Sequence, residues 1–155
     1  MEFPRMVEII KERIPDAIVE ANDKALDPFI KIRPECLKGV ARLLKEHEEI
    51  SMDMLLSISG VDYSDHITVV YHLFSLKYRH GIVIKLDLPR DNPKVDTVED
   101  IWKAANWHER EAYDLFGVIF NGHPDLRRIL LPDDWEGHPL RKDYKYPSNY
   151  HGLPL

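Results

Sequence analysis

Residues 52–88 read MDMLLSISGVDYSDHITVVYHLFSLKYRHGIVIKLDL and contain three consecutive runs rich in β-branched and aromatic side chains. The runs are 52–61, 66–77 and 81–88. The last run alternates strictly, with an apolar residue at every even position from Ile82 to Leu88, and this is the period of a strand. The connections 63–65 and 79–80 are short enough for hairpins. The stretch therefore predicts three neighbouring antiparallel strands.

The residues before this stretch predict a helix, two short strands and a second helix. Apolar residues recur with helical spacing over 5–14, and Pro15-Asp16 ends the pattern. The segments 17–20 and 28–32 have the character of short strands around a polar turn. Pro34 suits the first turn of the next helix. The apolar stripe of that helix is Leu37, Val40, Ala41 and Leu44, with His47 at its end.

The residues after this stretch predict one more helical region. Thr97 is expected to cap it, with Asp100 three residues later. The region extends to Phe116, either as one helix or as two helices broken near 105–106, and Gly117 is expected to end it. The resulting order, α-β-β-α-β-β-β-α followed by a tail, predicts a two-layer α+β fold. Its sheet is mostly antiparallel, with the helices on one face.

The composition limits the class of protein. The chain has 155 residues, a net charge of −6 and one cysteine, Cys36. One cysteine excludes an internal disulfide, and it excludes a zinc or iron–sulfur site built from paired cysteines of this chain. The acidic balance argues against nucleic acid as a partner, because phosphate binding relies on a basic surface. The glycine-rich nucleotide motifs and the GxSxG nucleophile motif do not occur in the sequence.

Turn-forming residues are concentrated near the C-terminus. Residues 121–155 hold five of the eleven prolines and three of the seven glycines, with equal numbers of acidic and basic residues. We therefore interpret 1–120 as a globular α+β domain and 121–155 as an extended segment that binds a partner. Three tyrosines in this segment have the character of interface anchors. Without a partner, we expect the segment to be mobile.

A charged cluster occupies the end of the last predicted helix. It contains Glu109, Arg110, Glu111 and Asp114. Arg110 and Asp114 are i,i+4 neighbours on a helix, so they can form an ion pair. Three interpretations remain open: a solvated helix face, a face that docks on a partner, and a pair of carboxylates for acid–base chemistry.

The triplet Gly-His-Pro occurs twice, 15 residues apart, and two adjacent basic residues follow each copy. Glycine permits a sharp bend, and proline holds the preceding histidine in an extended conformation. The histidines either cap local turns, or bind a metal with His108 or Asp114 as a third ligand, or set bends that aim the basic residues at a partner's carboxylates.

Taken together, these motifs resemble the family of the 30-kDa subunit of respiratory complex I, the NADH:quinone oxidoreductase. The family includes the equivalent subunits of F420H2 dehydrogenases, ferredoxin-driven complexes and membrane-bound hydrogenases. The similarity is strong over 102–144, whereas residues 1–100 agree only in the order of elements. The signature residues that match are Glu109, Arg110, Glu111, Asp114, Gly117, His123, Pro124, Arg127, Arg128, Gly137, His138, Pro139, Arg141, Lys142, Asp143 and Tyr144.

The resemblance implies a mixed sheet and a subunit without flavin, iron–sulfur cluster or catalytic residue of its own. It implies a peripheral position on the cytoplasmic side of the cell membrane. The implied neighbours are a 49-kDa, hydrogenase-large-like subunit and a 20-kDa-type iron–sulfur subunit. Iron–sulfur clusters, and in some complexes flavin, would belong to those partners. The signature residues would serve packing and docking, and the basic ones, Arg127, Arg128, Arg141 and Lys142, would form ion pairs with the partner.

Two other functions compete with this interpretation. One is a small metal-dependent enzyme that uses His108, His123 and His138 with Asp114. The other is a free-standing adaptor. The sequence also departs from the family pattern, because Lys145-Tyr146 precede Pro147 where the proline usually follows at once.

Overall fold

The structure is a computed structural model that describes residues 2–155. Its main feature is a five-stranded sheet in the order β1-β2-β5-β4-β3. Neighbouring strands are antiparallel except β2 and β5, which are parallel. The strands are β1 (Ile18–Asn22), β2 (Phe29–Ile32), β3 (Met54–Asp62), β4 (His66–Ser75) and β5 (His80–Pro89). The mixed, mostly antiparallel sheet and the three consecutive strands are thus confirmed.

Three helices complete the second layer. They are α1 (Phe3–Arg13), α2 (Leu37–Glu46) and α3 (Ala105–Phe116), and a 3₁₀ turn at Pro34–Cys36 leads into α2. The predicted stripe of α2 is buried. The even-numbered residues of β5 from Ile82 to Leu88 share one core with the helices, whereas Val70 and Val83 stay outside that core. Since side chains alternate along a strand, all three helices cover the same face of the sheet.

The region before α3 differs from the prediction. Residues 98–104 form turns, and the helix starts only at Ala105. The Thr97 hydroxyl does accept the N–H of Glu99, as a cap would, but it also donates to the carboxylate of Glu109. Thr97 therefore joins the turn to α3 instead of starting a helix.

Two three-residue strands were not predicted. They are β6 (Lys94–Asp96) and β7 (Ile119–Asn121), which pair in parallel on either side of α3. The N–H of Thr97 extends the pairing to the carbonyl of Asn121 at 2.9 Å. This two-stranded sheet joins the residues before α3 to the residues after it.

The C-terminal segment (residues 121–155) has little regular structure. A minimal hairpin of β8 (Asn149–Tyr150) and β9 (Leu153–Pro154) lies near its end. Much of the rest is bonded to α3 and to the end of β3, as described below. Within residues 2–155, no helix has both the length and the apolar character needed to cross a membrane.

Candidate functional site

Asp114 is the centre of the contact between α3 and the C-terminal segment. Its side chain is fully buried. One carboxylate oxygen, Oδ2, accepts three consecutive backbone N–H groups, those of Ile129 (3.1 Å), Leu130 (2.8 Å) and Leu131 (2.9 Å). The other oxygen, Oδ1, accepts a hydrogen bond from Nη1 of Arg128 at 2.8 Å. A single side chain thus fixes four consecutive residues of the segment.

The protonation state of Asp114 follows from these bonds. Burial alone would raise the pKa of the carboxyl group. The bond from Arg128 and the three amides outweigh that effect and hold the pKa below its ordinary value. Asp114 is therefore ionised at neutral pH, and its charge is compensated inside the protein.

Arg110 binds the same stretch of the segment through its carbonyl groups. Nε donates to the carbonyl of Arg127 at 3.2 Å, and Nη2 donates to the carbonyl of Arg128 at 2.9 Å. Arg110 and Asp114 therefore do not form the ion pair that their spacing allows. Both side chains face the segment instead of each other. Arg110 is the donor and Asp114 is the acceptor.

The charged cluster on α3 is not a solvated helix face. Glu109, Arg110 and Asp114 are 0%, 7% and 0% exposed, so the interpretation as a solvated face is wrong.

Arg128 is used within the chain. Besides the ion pair with Asp114, its Nη2 donates to the carbonyls of Trp135 (2.7 Å) and Gly137 (2.9 Å). Its side chain is only 11% exposed. The expected ion pair between Arg128 and a partner is not supported, because its guanidinium is already bonded. Arg127 differs, since it pairs with Asp125 at the surface.

The second Gly-His-Pro triplet covers the C-terminal end of α3. His138 Nδ1 lies 3.0 Å from the carbonyl of Asp114, and Arg141 Nε donates to the carbonyl of Phe116 at 2.7 Å. These groups satisfy carbonyls that have no partner within the helix. Gly117 ends α3 as predicted, with a φ of +76°. A side chain there would come within 2.6 Å of the His138 ring, so this close approach also requires glycine.

A further attachment lies at the end of β3. Arg90 Nη2 bridges Asp62 (2.7 Å) and Asp143 (2.8 Å). The N–H of Lys142 donates to Asp62 as well, at 2.8 Å. Burial would raise the pKa of Asp62, but Arg90 and the amides of Lys142 and Ser64 lower it well below its usual range. Sequence reasoning missed Asp62 and Arg90, because nothing near them in the sequence indicates a partner 80 residues away.

Aromatic residues stabilise the turn between these attachments. Trp135 Nε1 donates to the hydroxyl of Tyr144 at 2.9 Å, and that hydroxyl donates to the carbonyl of Glu136. Gly137 has a φ of +79°, and a Cβ there would lie 2.7 Å from the Tyr144 ring. Of the remaining signature residues, Pro139 and Lys142 lie within this stretch, whereas Pro124 directly follows His123.

The histidines do not converge. His123 Nε2 lies 3.0 Å from the carbonyl of Asn106, near the start of α3, whereas His138 lies at its C-terminal end. Asp114 has its oxygens committed to the segment. In the part of the chain that the structure describes, no group of three or more His, Cys, Asp or Glu side chains is placed to hold a metal ion. The geometry therefore does not support the metal-dependent enzyme.

The attachments leave an apolar surface exposed beside α3. Trp107 is 69% exposed and Leu130 is 64% exposed. They line one groove with Ile129, and Lys103 and Glu111 lie at its rim. Apolar patches with a polar rim are typical of protein–protein contacts. Since Asp114 holds the amide of Leu130, the attachment decides where this surface lies.

The fold and the site define a two-layer α+β domain whose last helix binds an extended C-terminal segment. Comparison with known proteins gives the family. Residues 30–150 match the model of the respiratory-chain NADH dehydrogenase 30-kDa subunit. The chain belongs to this family, and the predicted resemblance to it is confirmed.

Relatives and solved structures agree with this assignment. An NADH-quinone oxidoreductase subunit from Chloroherpeton thalassium is 42% identical over 95% of the chain, which spans 62% of that relative's length. The same subunit from Chlorobium phaeobacteroides is 39% identical over 96% of the chain and 92% of its own length.

A chain of the membrane-bound sulfane sulfur reductase, described as an archaeal respiratory membrane complex, superposes with a TM-score of 0.78. It is 28% identical over 94% of this chain and 86% of its own. A trypsin-resistant fragment of Nqo5 superposes with a TM-score of 0.65. It is 30% identical over 81% of this chain and all of the fragment.

Proposed function

We propose that the chain is a non-catalytic subunit of a membrane-attached respiratory complex of the NADH dehydrogenase type. In this role it braces a large subunit equivalent to the 49-kDa subunit and lies near a 20-kDa-type iron–sulfur subunit. The family match and the NADH-quinone oxidoreductase relatives support membership of such a complex. The chain spans only part of the Chloroherpeton relative, so this proposal concerns the shared domain.

The observation that carries the proposal is the use of the signature residues. Asp114, Arg110 and Arg128 hold residues 128–131 and so place Leu130 beside Trp107. These charged groups are bonded within the chain, which leaves the adjacent exposed apolar residues to contact a partner. Exposed aromatic and aliphatic anchors dominate the energy of many interfaces.

The wider role that we propose rests on the family assignment. We propose that electrons pass from NADH, F420H2 or ferredoxin to the acceptor through iron–sulfur clusters, and in some complexes flavin, held by the partner subunits. The chain then stabilises that path while electron transfer drives ion translocation. Its position is peripheral, on the cytoplasmic side of the membrane, and it reaches the membrane through its partners.

A charge placed in the groove tests the proposed interface. Leu130→Glu should reduce co-purification of the other subunits with a tagged chain expressed in its native host, because the glutamate would be buried on docking. Leu26→Glu is the matched control, since Leu26 is 98% exposed and belongs to the loop between β1 and β2. Both variants should unfold at the same temperature as the wild type when isolated.

Two results would contradict the proposal. One is full recovery of partner subunits with Leu130→Glu. The other is recovery of the wild-type chain in the soluble fraction alone, without partners, which would favour the free-standing adaptor.

A further inference from the structure

The groove beside α3 has an acidic group that is not paired within the chain. Trp107 and Leu130 form the apolar part of the groove, and Glu111 lies one helix turn beyond Trp107. Glu111 is exposed. Within residues 2–155 it forms no ion pair, in contrast to Asp114 on the same helix, which has Arg128. The carboxylate of Glu111 is therefore available to a cation from another chain.

The basic group at the other end of the groove does not fill this role. Nζ of Lys103 lies 2.7 Å from Oε1 of Glu99 and is already paired. Lys103 and Glu111 are also separated by about 12 Å along the axis of α3. The whole chain carries a net charge of −6, so a basic partner surface is attracted to it.

The wall of the groove opposite α3 offers acceptors and no donors. The amides of Ile129, Leu130 and Leu131 are all bonded to Asp114. In the part of the chain that the structure describes, the carbonyls of Ile129 and Leu130 accept no hydrogen bond. A strand of a partner cannot pair with this wall, because strand pairing uses N–H and C=O groups on both chains. A side chain that donates several hydrogen bonds fits the wall instead.

An arginine side chain has the properties that this site requires. Its guanidinium is planar and stacks on aromatic rings, among which tryptophan attracts cations most strongly. While it is stacked, its five N–H groups lie in the plane, where they donate to a carboxylate and to carbonyl oxygens. The compact ammonium group of lysine does not stack in this way. The groove has a volume of about 620 Å³, so a long side chain fits between Trp107 and Leu130.

We propose that this groove binds one arginine side chain of the partner subunit. The guanidinium stacks on the indole ring of Trp107, pairs with the carboxylate of Glu111 and donates to the carbonyl of Ile129 or Leu130. The inference rests on the proposed docking surface and names the group that it recognises. It also gives a role to the attachment by Asp114, which uses up the amides of this wall and leaves its carbonyls as acceptors.

The test lets a tagged variant compete with the untagged wild-type chain for the complex in the native host. The ratio of variant to wild type in the membrane fraction, divided by their ratio in the whole cell extract, should fall about tenfold for Glu111→Gln. It should fall further for Glu111→Arg, which places like charges together. Glu20→Arg is the matched control, since Glu20 is an exposed glutamate of β1, at the opposite edge of the sheet from β3. An unchanged ratio for Glu111→Arg overturns the inference.

A double variant shows whether one cation contacts both residues. Trp107→Leu keeps an apolar side chain but removes the aromatic face, and it should also lower the ratio about tenfold. Combined with Glu111→Gln, it should lower the ratio by clearly less than the product of the two single effects, because one guanidinium serves both residues. A loss equal to that product overturns the single shared arginine.

Two further results separate this inference from the proposed function. If Leu130→Glu is displaced from the complex and Glu111→Arg is not, the docking surface stands and the arginine site is wrong. If neither variant is displaced, the docking surface itself is wrong. Carbodiimide couples carboxylates to lysine amines but not to guanidinium groups, which stay protonated. We expect no such cross-link from Glu111 in the wild-type complex, and one to a partner lysine overturns the assignment to arginine.

Discussion

Asp114 shows how one residue can fix a chain segment without regular structure. Residues 128–131 form neither helix nor strand, so their amides have no partners of their own. The carboxylate of Asp114 supplies an acceptor for three of these amides, and Arg128 supplies the compensating charge. Charge-assisted hydrogen bonds are stronger than neutral ones. The attachment is therefore both specific in geometry and stabilising.

Asp114→Asn should destabilise the folded chain by about 3 kcal/mol. The amide removes the charge that compensates the largely buried Arg128 and weakens the acceptor for the three N–H groups. Urea unfolding at neutral pH measures the change in the free energy of unfolding.

Glu111→Gln is the control for this substitution, because Glu111 is exposed on the same helix. It should change stability by less than about 0.5 kcal/mol. A loss below about 1 kcal/mol for Asp114→Asn would show that the carboxylate contributes little to the attachment.

At the residue scale, sequence reasoning found the right side chains and assigned the wrong contacts. The charged cluster on α3 was identified, but helix spacing suggested a local pair between Arg110 and Asp114. The observed partners lie 14 to 18 residues further along the chain. A local rule cannot anticipate them, because the distances are set by how the segment folds back along α3.

The packing of α3 on β3 depends on a glycine. A Cβ at Gly60 would lie 2.5 Å from Cδ2 of Phe116. The absence of a side chain in the strand thus lets the last aromatic ring of α3 rest directly on the sheet. The Gly60–Phe116 contact lies at the C-terminal end of α3, the end whose carbonyls are bonded by His138 and Arg141.

Gly60→Ala should therefore destabilise the chain by about 1–3 kcal/mol, since either the ring or the helix must shift. Thermal unfolding measures the loss. Combination with Phe116→Leu should recover part of it, because the smaller side chain leaves room for the methyl group.

Gly39→Ala provides a comparison in α2, where the nearest atom to the new methyl group is the flexible end of Ile14 at 3.3 Å. It should be much better tolerated, since alanine also favours the helix. Strictly additive effects of Gly60→Ala and Phe116→Leu would disprove the direct contact.

Among the elements, the sequence pattern predicted the long strands and missed the strands of three residues. The strand predicted at 66–77 from its β-branched and aromatic residues occurs at His66–Ser75. The strand predicted at 81–88 from its alternation occurs at His80–Pro89. The strands β6 and β7 have three residues each and no readable period. The expected helix start at Thr97 failed because its hydroxyl serves both the following turn and the distant Glu109.

For the whole molecule, three attachments join the C-terminal segment to the domain. His123 binds the start of α3, Asp114 and Arg110 bind residues 127–131, and the bridge from Asp62 through Arg90 holds Asp143. The expectation of a segment that is mobile without a partner differs from this structure over 123–144. The sequence indicated an extended segment through its prolines and glycines, but composition does not reveal that its own domain binds it.

We infer that Asp114, Arg110 and Arg128 hold the C-terminal segment on its own domain and so present a surface for a partner. The measurement that tests it most directly is hydrogen exchange of the amides of residues 129–131 in the isolated chain. We predict protection on the order of 100-fold or more in the wild type and in Glu111→Gln, and loss of most of it in Asp114→Asn. Exchange of these amides at the rate of an unfolded peptide in the wild-type chain would contradict the claim.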